Sequence, residues 1–220
     1  MINNMKAAIF DLDGTLIDSM GIWVQIDIDY IKEIGHSDTV DLIKLKEEIN
    51  HLSYRGTAEY FKNRFNLESS VDEICARWHD MAYEKYSKEV KLKEGVFEFL
   101  TKLKNSGVKI GLATSNSLEL ATVCLKANGV LDLFESITIT GEVSRGKNFP
   151  DVYLLSAQRL GVEPKDIIVF EDIPTAIQGA KKGDFKVIGV FDKYSAHHED
   201  EMIKISDKFI KSYTELLSKV

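Results

Sequence analysis

Asp11 and Asp13 stand two residues apart in Asp11-Leu12-Asp13-Gly14-Thr15-Leu16, directly after the apolar run Ala7-Ala8-Ile9-Phe10. A short apolar run closed by a turn signal reads as a buried strand. Open α/β sheets bind ligands just beyond the C-terminal ends of their strands. Carboxylates held so close repel, and one is pushed towards its neutral form unless a cation sits between them. Ligation by oxygen alone suits Mg2+. Gly14 lets the backbone turn sharply behind the pair. Taken alone, the hexapeptide also fits a turn whose Asp side chains cap a following helix.

Three further polar clusters follow the same logic. Thr114-Ser115-Asn116 ends the apolar segment Val108–Ala113 and precedes a helical pattern from Ser117. A hydroxyl and successive backbone N–H groups in that place can cradle a phosphate, although an ordinary helix N-cap has the same composition. Lys147, in Ser144-Arg145-Gly146-Lys147-Asn148-Phe149-Pro150-Asp151, stands just before a helix start and could neutralise a phosphate and an aspartate; in isolation it also reads as a solvated lysine. Glu171-Asp172 closes the apolar run Ile167–Phe170 and would be a second acidic pair at a strand end, or else an acidic helix start. Capping alone does not predict acids for a metal, a hydroxyl and amides for an anion, and a lysine, all at strand ends or helix starts on one side of one sheet.

The elements that must position these groups alternate. Strands are expected at 6–10, 108–113, 136–140, 166–170 and 186–190, and a last one within Ile203–Phe209. Helices are expected at 96–104, 117–127, 150–160 and 173–182, with a final one at 212–219. This alternation predicts an α/β fold, a doubly wound parallel sheet with helices on both faces. Between Met20 and Lys88 nothing reads as a strand. Trp23, Ile26 and Tyr30 recur at helical spacing there, followed by Ile43 and Leu45, then Tyr60, Phe61 and Phe65. A fourth run holds Val71, Ile74, Trp78, Met81 and Tyr83. Residues 19–89 therefore read as an inserted helical bundle, with 1–18 plus 90–220 as the core and connections at 15–19 and 87–94.

Composition narrows the classes. The 220 residues carry 28 basic and 35 acidic side chains and a net charge of −7, which argues against a nucleic-acid binder. No apolar run is long enough to span a membrane. An acidic motif by residue 11 leaves no room for a signal peptide, so a cytoplasmic location is expected. Cys75 and Cys124, far apart, are expected as reduced thiols. Cys75 and His79 have metal-ligand spacing on a helix but no further ligands nearby, and His197-His198-Glu199-Asp200 reads as a solvated loop or helix start.

Asp11-x-Asp13-Gly14-Thr15, Thr114-Ser115-Asn116, Lys147 and Glu171-Asp172, in this order over residues 6–190, resemble the four motifs of the haloacid dehalogenase superfamily in its phosphatase and phosphomutase branch. The insert resembles the helical cap of the β-phosphoglucomutase-like subgroup. One departure is visible: Pro-x-Pro is expected after the lysine, and here the residues are Asn148-Phe149-Pro150, with Arg145 as the fallback for the functional cation. The resemblance implies Asp11 as the nucleophile that forms an aspartyl-phosphate and Asp13 as general acid and base. It implies Mg2+ held by Asp11, the Asp13 carbonyl, Glu171 and Asp172, and a phosphoryl group bound by Thr114, Ser115, Asn116 and Lys147.

Within the family, a dehalogenase would have no use for Asp13 and Glu171-Asp172, and a P-type pump needs membrane spans. β-Phosphoglucomutases carry a histidine on the first lid helix where this chain has Trp23; the lid arginine that grips a distal phosphate has a counterpart in Arg55. Loss of the histidine favours a phosphatase acting on a small phosphorylated metabolite, such as a sugar phosphate, over a mutase. Receiver domains, a regulatory alternative, lack both the insert and the second aspartate. A monomer or weak homodimer is expected, with no nucleic-acid or membrane partner.

Overall fold

The computed structural model describes residues 2, 5–37, 40–49 and 54–219; the Ile43 side chain, used in the sequence reading, lies outside the described residues. Six strands form one sheet: β1 (Ala7–Phe10), β2 (Lys109–Thr114), β3 (Ser136–Ile139), β4 (Ile167–Glu171), β5 (Lys186–Val190) and β6 (Lys208–Ile210). Their order is β3-β2-β1-β4-β5-β6 and every pairing is parallel. The chain lays β1, β2 and β3 outward in one direction, then crosses back to place β4 on the other side of β1. The switch point therefore lies between β1 and β4, the place beyond whose strand ends open α/β sheets bind ligands.

Both faces of the central strands are buried, so their sequences run apolar without alternation. Ala7, Ile9, Ala113, Ile167 and Val169 pack towards α7 (Asp151–Leu160) and α8 (Pro174–Lys181), with Val152, Tyr153 and Ile177 among their neighbours. On the opposite face Phe10 stacks on Phe170 with ring centroids 4.5 Å apart, and Phe99 of α5 (Val96–Asn105) and Tyr213 close over them. Burying one such side chain contributes on the order of 1.5–3 kcal/mol.

The chain divides into two compact units, Met1–Met20 with Tyr86–Val220, and Gly21–Lys85. The second is built on α1 (Met20–Glu33), α2 (Leu42–Ile49), α3 (Tyr54–Arg64) and α4 (Val71–Lys88). Its centre is aromatic: Trp78 meets Tyr30, Tyr54 and Phe61 edge-on, and Trp23 meets Tyr54. Tyr83, grouped by periodicity with the buried stripe of α4, is 40% exposed; Ala82 and Tyr86 are the buried residues of that turn. The two connections are not loose loops. Asp18 N–H donates to Lys91 O and Lys93 N–H to Leu16 O, so they pair antiparallel at Ile17 and Leu92.

Near the C-terminus the structure departs from the sequence reading. Residues Glu199–Ile205 form helix α9, and the strand is confined to Lys208–Ile210. Three acids in the first turn of α9 favour a helix N-terminus. Met202 faces the core while Ile203 is half exposed, so the apolar residues there follow a helix rather than a strand. The last segment, Tyr213–Lys219, is a 3-10 helix that buries Tyr213 and Leu216. The remaining helix, α6 (Leu118–Ala127), is capped by Ser117, whose hydroxyl accepts from Leu120 N–H at 3.2 Å.

Candidate active site

Asp11 is the first residue past β1, and its N–H donates to Phe170 O at 3.0 Å. The register pairs Phe10 with Phe170, so Asp11 comes level with Glu171 on the neighbouring strand. Side chains alternate along strands. Ile9 and Val169 face α7, so Asp11 and Glu171 point to that face too. Asp172 follows immediately. One oxygen from each of Asp11, Glu171 and Asp172 lies within 4.8 Å of the others, and all three residues are buried.

Gly14 permits this crowding. It has φ +79°, and a Cβ there would stand 2.3 Å from Asp172 Oδ2. Thr15 Oγ1 donates to Asp172 Oδ1 at 3.3 Å. Lys93, from the returning connection, donates to the Gly14 carbonyl and to Phe191 O at 2.8 Å, and pairs with buried Asp192 at 2.9 Å. The Gly14 peptide is thus tied to two distant parts of the chain.

Lys147 is the cation of the site. Its Nζ donates to Asp11 Oδ1 and, at 2.7 Å, to Glu171 Oε1. Tyr153 of α7 donates its phenol to the same Glu171 oxygen at 2.7 Å. Burial works to lower the Lys147 pKa, but Asp11 and Glu171 prevail and hold it above its ordinary value. Arg145, the fallback cation, is half exposed; it pairs with Asp151 at 2.8 Å and lies 4.2 Å over the Phe149 ring. Lys182 also approaches that ring and donates to Asn148 O at 2.9 Å. Phe149 between two cations fastens the loop where a Pro-x-Pro was expected.

Asp13 has different company. Its Oδ1 accepts from Ser19 Oγ at 2.6 Å and from the Tyr86 phenol, and its Oδ2 from Asn116 Nδ2 at 2.9 Å. Burial, followed by repulsion from Asp11, raises its pKa, and the three donors oppose the rise. Asn116, grouped by sequence with the phosphate ligands, turns its amide onto Asp13. Its N–H donates to Thr114 Oγ1 at 3.0 Å, which leaves the buried Thr114 hydroxyl its own proton to donate. Ser115 is exposed at the end of β2.

Burial pushes Glu171 up to about 7, with Lys147 opposing and Asp11 adding to the rise. Burial and then the charges of Asp11 and Glu171 raise Asp172 well above the usual carboxylate range. Were all three carboxyl groups ionised, the one ammonium would leave two negative charges, the charge of one divalent cation. Uncompensated buried charge is strongly unfavourable, and an all-oxygen donor set suits a hard dication. The acidic cluster therefore fits a divalent metal. The Asp13 carboxylate lies outside that cluster; its backbone carbonyl remains as the candidate ligand.

The four motif clusters thus meet at the switch point: Asn116 reaches Asp13, and Lys147 reaches both Asp11 and Glu171. Arg55 and Trp23 belong to the other unit. Arg55 pairs with Asp72 on an exposed face, and Trp23 packs on Tyr54. Tyr86, Tyr153, Lys93, Asp192 and Ser19 were not singled out from the sequence. Only Ser19 stands close to a motif; the others are brought in by contacts across the fold.

Comparison with known proteins gives the class. Residues 8–190 match the haloacid dehalogenase-like hydrolase family, and the chain belongs to that family of enzymes. It is 30% identical to validoxylamine A 7'-phosphate phosphatase of Streptomyces hygroscopicus subsp. limoneus, over 96% of this chain and 95% of that protein. It is 28% identical to a phosphorylated carbohydrates phosphatase of Thermotoga maritima, over 84% and 85% of the two chains. Among solved structures it resembles a putative β-phosphoglucomutase from Thermotoga maritima, with a TM-score of 0.81, 24% identity and 98% of both chains covered.

Proposed function

We propose that the chain is a cytoplasmic, Mg2+-dependent phosphatase that hydrolyses a small phosphorylated metabolite, a sugar phosphate, through an aspartyl-phosphate on Asp11. The carrying observation is the convergence beyond the ends of β1 and β4 of Asp11, the separately held Asp13, the buried Lys147 and the acidic pair Glu171-Asp172. The two phosphatase relatives, one acting on phosphorylated carbohydrates, support the substrate class.

In this reading an Asp11 carboxylate oxygen attacks phosphorus, and the bond from phosphorus to the leaving oxygen breaks. Asp13 gives its proton to that oxygen as the alcohol departs. Water then attacks the aspartyl-phosphate and passes a proton to Asp13. The bond from Asp11 to phosphorus breaks, returning the Asp11 carboxylate and inorganic phosphate. Lys147, the Thr114 hydroxyl and the Ser115 amide neutralise and orient the phosphoryl oxygens, the main requirement of phosphoryl transfer. Asp11, Glu171, Asp172 and the Asp13 carbonyl would hold Mg2+, which when bound supplies positive charge to the transferring group. The unit at Gly21–Lys85 serves as a lid that selects the substrate, with Trp23 and Arg55 as its contact residues.

The test is phosphate release from a panel of phosphorylated sugars and polyols, in Mg2+ and in EDTA, with β-glucose 1-phosphate assayed in parallel for isomerisation. Mg2+-dependent release, with Asp11→Asn lowering turnover at least about 1000-fold while the melting temperature holds, is the expected outcome. Wild-type rates in Asp11→Asn would overturn the nucleophile assignment. Isomerisation without release would make the protein a mutase.

A further inference from the structure

We propose that Tyr86 is a positioning residue that dictates which oxygen of Asp13 carries the transferable proton; the proposal rests on the acid–base role given to Asp13 above. Tyr86 lies near the end of α4 with its side chain fully buried. A buried phenol needs a hydrogen-bond partner. This one donates to Asp13, whose carboxylate stands apart from the Lys147 and metal-binding group.

An ionised carboxylate offers about four acceptor positions, two on each oxygen. Tyr86 and Ser19 both donate to Oδ1 and fill it. Asn116 takes one position on Oδ2. One acceptor direction on Oδ2 is left, and the proton rides there. In the first step the Oδ2–H bond breaks as the leaving oxygen gains that proton, and Oδ2 is left anionic beside the Asn116 amide. In the second, Oδ2 recovers a proton from the attacking water. Without the Tyr86 hydroxyl, Oδ1 regains an open acceptor position and competes for the proton in an unproductive direction. Of the donors to Oδ1, Ser19 sits on the outgoing connection and Tyr86 in α4 just before the returning one.

The experiment compares kcat/KM, which reports the step that expels the leaving group, for two esters in Mg2+. The leaving group of p-nitrophenyl phosphate departs readily without a proton, whereas that of benzyl phosphate needs one. Tyr86→Phe should lower kcat/KM for benzyl phosphate about 10-fold or more, a fraction of what a general acid supplies, and change p-nitrophenyl phosphate by less than about 2-fold. Asp13→Asn should show the same skew, more strongly. Tyr213→Phe removes another buried phenol, 3.4 Å from Thr15 O, and should shift both esters by one common factor. Should Tyr86→Phe fail to fold, Ser19→Ala opens the same oxygen and must give the same skew. An equal change on both esters, or none, overturns the assignment. If the wild type releases phosphate from neither ester and from no member of the sugar and polyol phosphate panel, the phosphatase reading itself falls and takes this proposal with it.

Discussion

The backbone carbonyl of Lys147 lies so close to Gly179 in α8 that a Cβ there would stand 1.8 Å from the oxygen. Glycine in a helix interior costs roughly 1 kcal/mol relative to alanine. Here that cost permits a loop to press onto the helix, and the loop carries the buried ammonium that joins Asp11 to Glu171.

Gly179→Ala is therefore expected to displace Lys147 even though alanine suits the helix better. Phosphatase kcat/KM should fall at least about 10-fold, the scale on which small misplacements of a positioning group act. Steady-state kinetics beside a thermal melt checks this. Unchanged kinetics would mean that the loop relaxes without moving the ammonium.

The pH dependence of the metal-free protein should run opposite to the usual acid lability. Burial raises Glu171 from 4.5 to about 7, so between those values the folded state holds a proton that the unfolded chain has lost. Stability then falls as pH rises through that window. Asp13 and Asp172 are raised as well and act in the same sense. Carboxylates with lowered pKa, such as Glu142 at about 2 beside Arg159, lose their contribution only at lower pH. In EDTA the melting temperature should be higher at pH 5 than at pH 7.5. Mg2+ should restore stability more at pH 7.5, because protons and metal compete for the same oxygens. A higher melting temperature at pH 7.5 in EDTA would contradict the charge reading of the cluster.

Tyr153→Phe removes one of two donors that fix Glu171 through Oε1. Groups that orient metal ligands typically contribute 10–100-fold to affinity. The Mg2+ concentration for half-maximal phosphatase activity should rise about 10-fold, with the rate at saturating Mg2+ less affected. A Mg2+ titration of wild type and variant reads this directly, and an unchanged midpoint would remove Tyr153 from the site.

The sequence alone was enough to read the parallel sheet, because buried central strands leave uninterrupted apolar runs such as Ala7–Phe10 and Ile167–Phe170. It also marked Asp11, Asp13, Thr114, Lys147, Glu171 and Asp172 as candidates, because their chemistry is unusual at strand ends and, for Lys147, just before a helix start. It placed the last strand within Ile203–Phe209, whereas Ile203–Ile205 end a helix and the strand starts at Lys208, because a half-buried short helix and a strand offer similar apolar spacing. What only the tertiary structure decided is which groups hold Asp11, Asp13 and Glu171 in place. Tyr86 and Asn116 reach Asp13 across 73 and 103 residues, and Lys93 reaches the Gly14 carbonyl across 79. Gly179 matters only because Lys147 packs against it. A periodic pattern reports burial, and a motif reports local chemistry. A hydroxyl that folding brings onto a distant carboxylate leaves no trace in the residues around it.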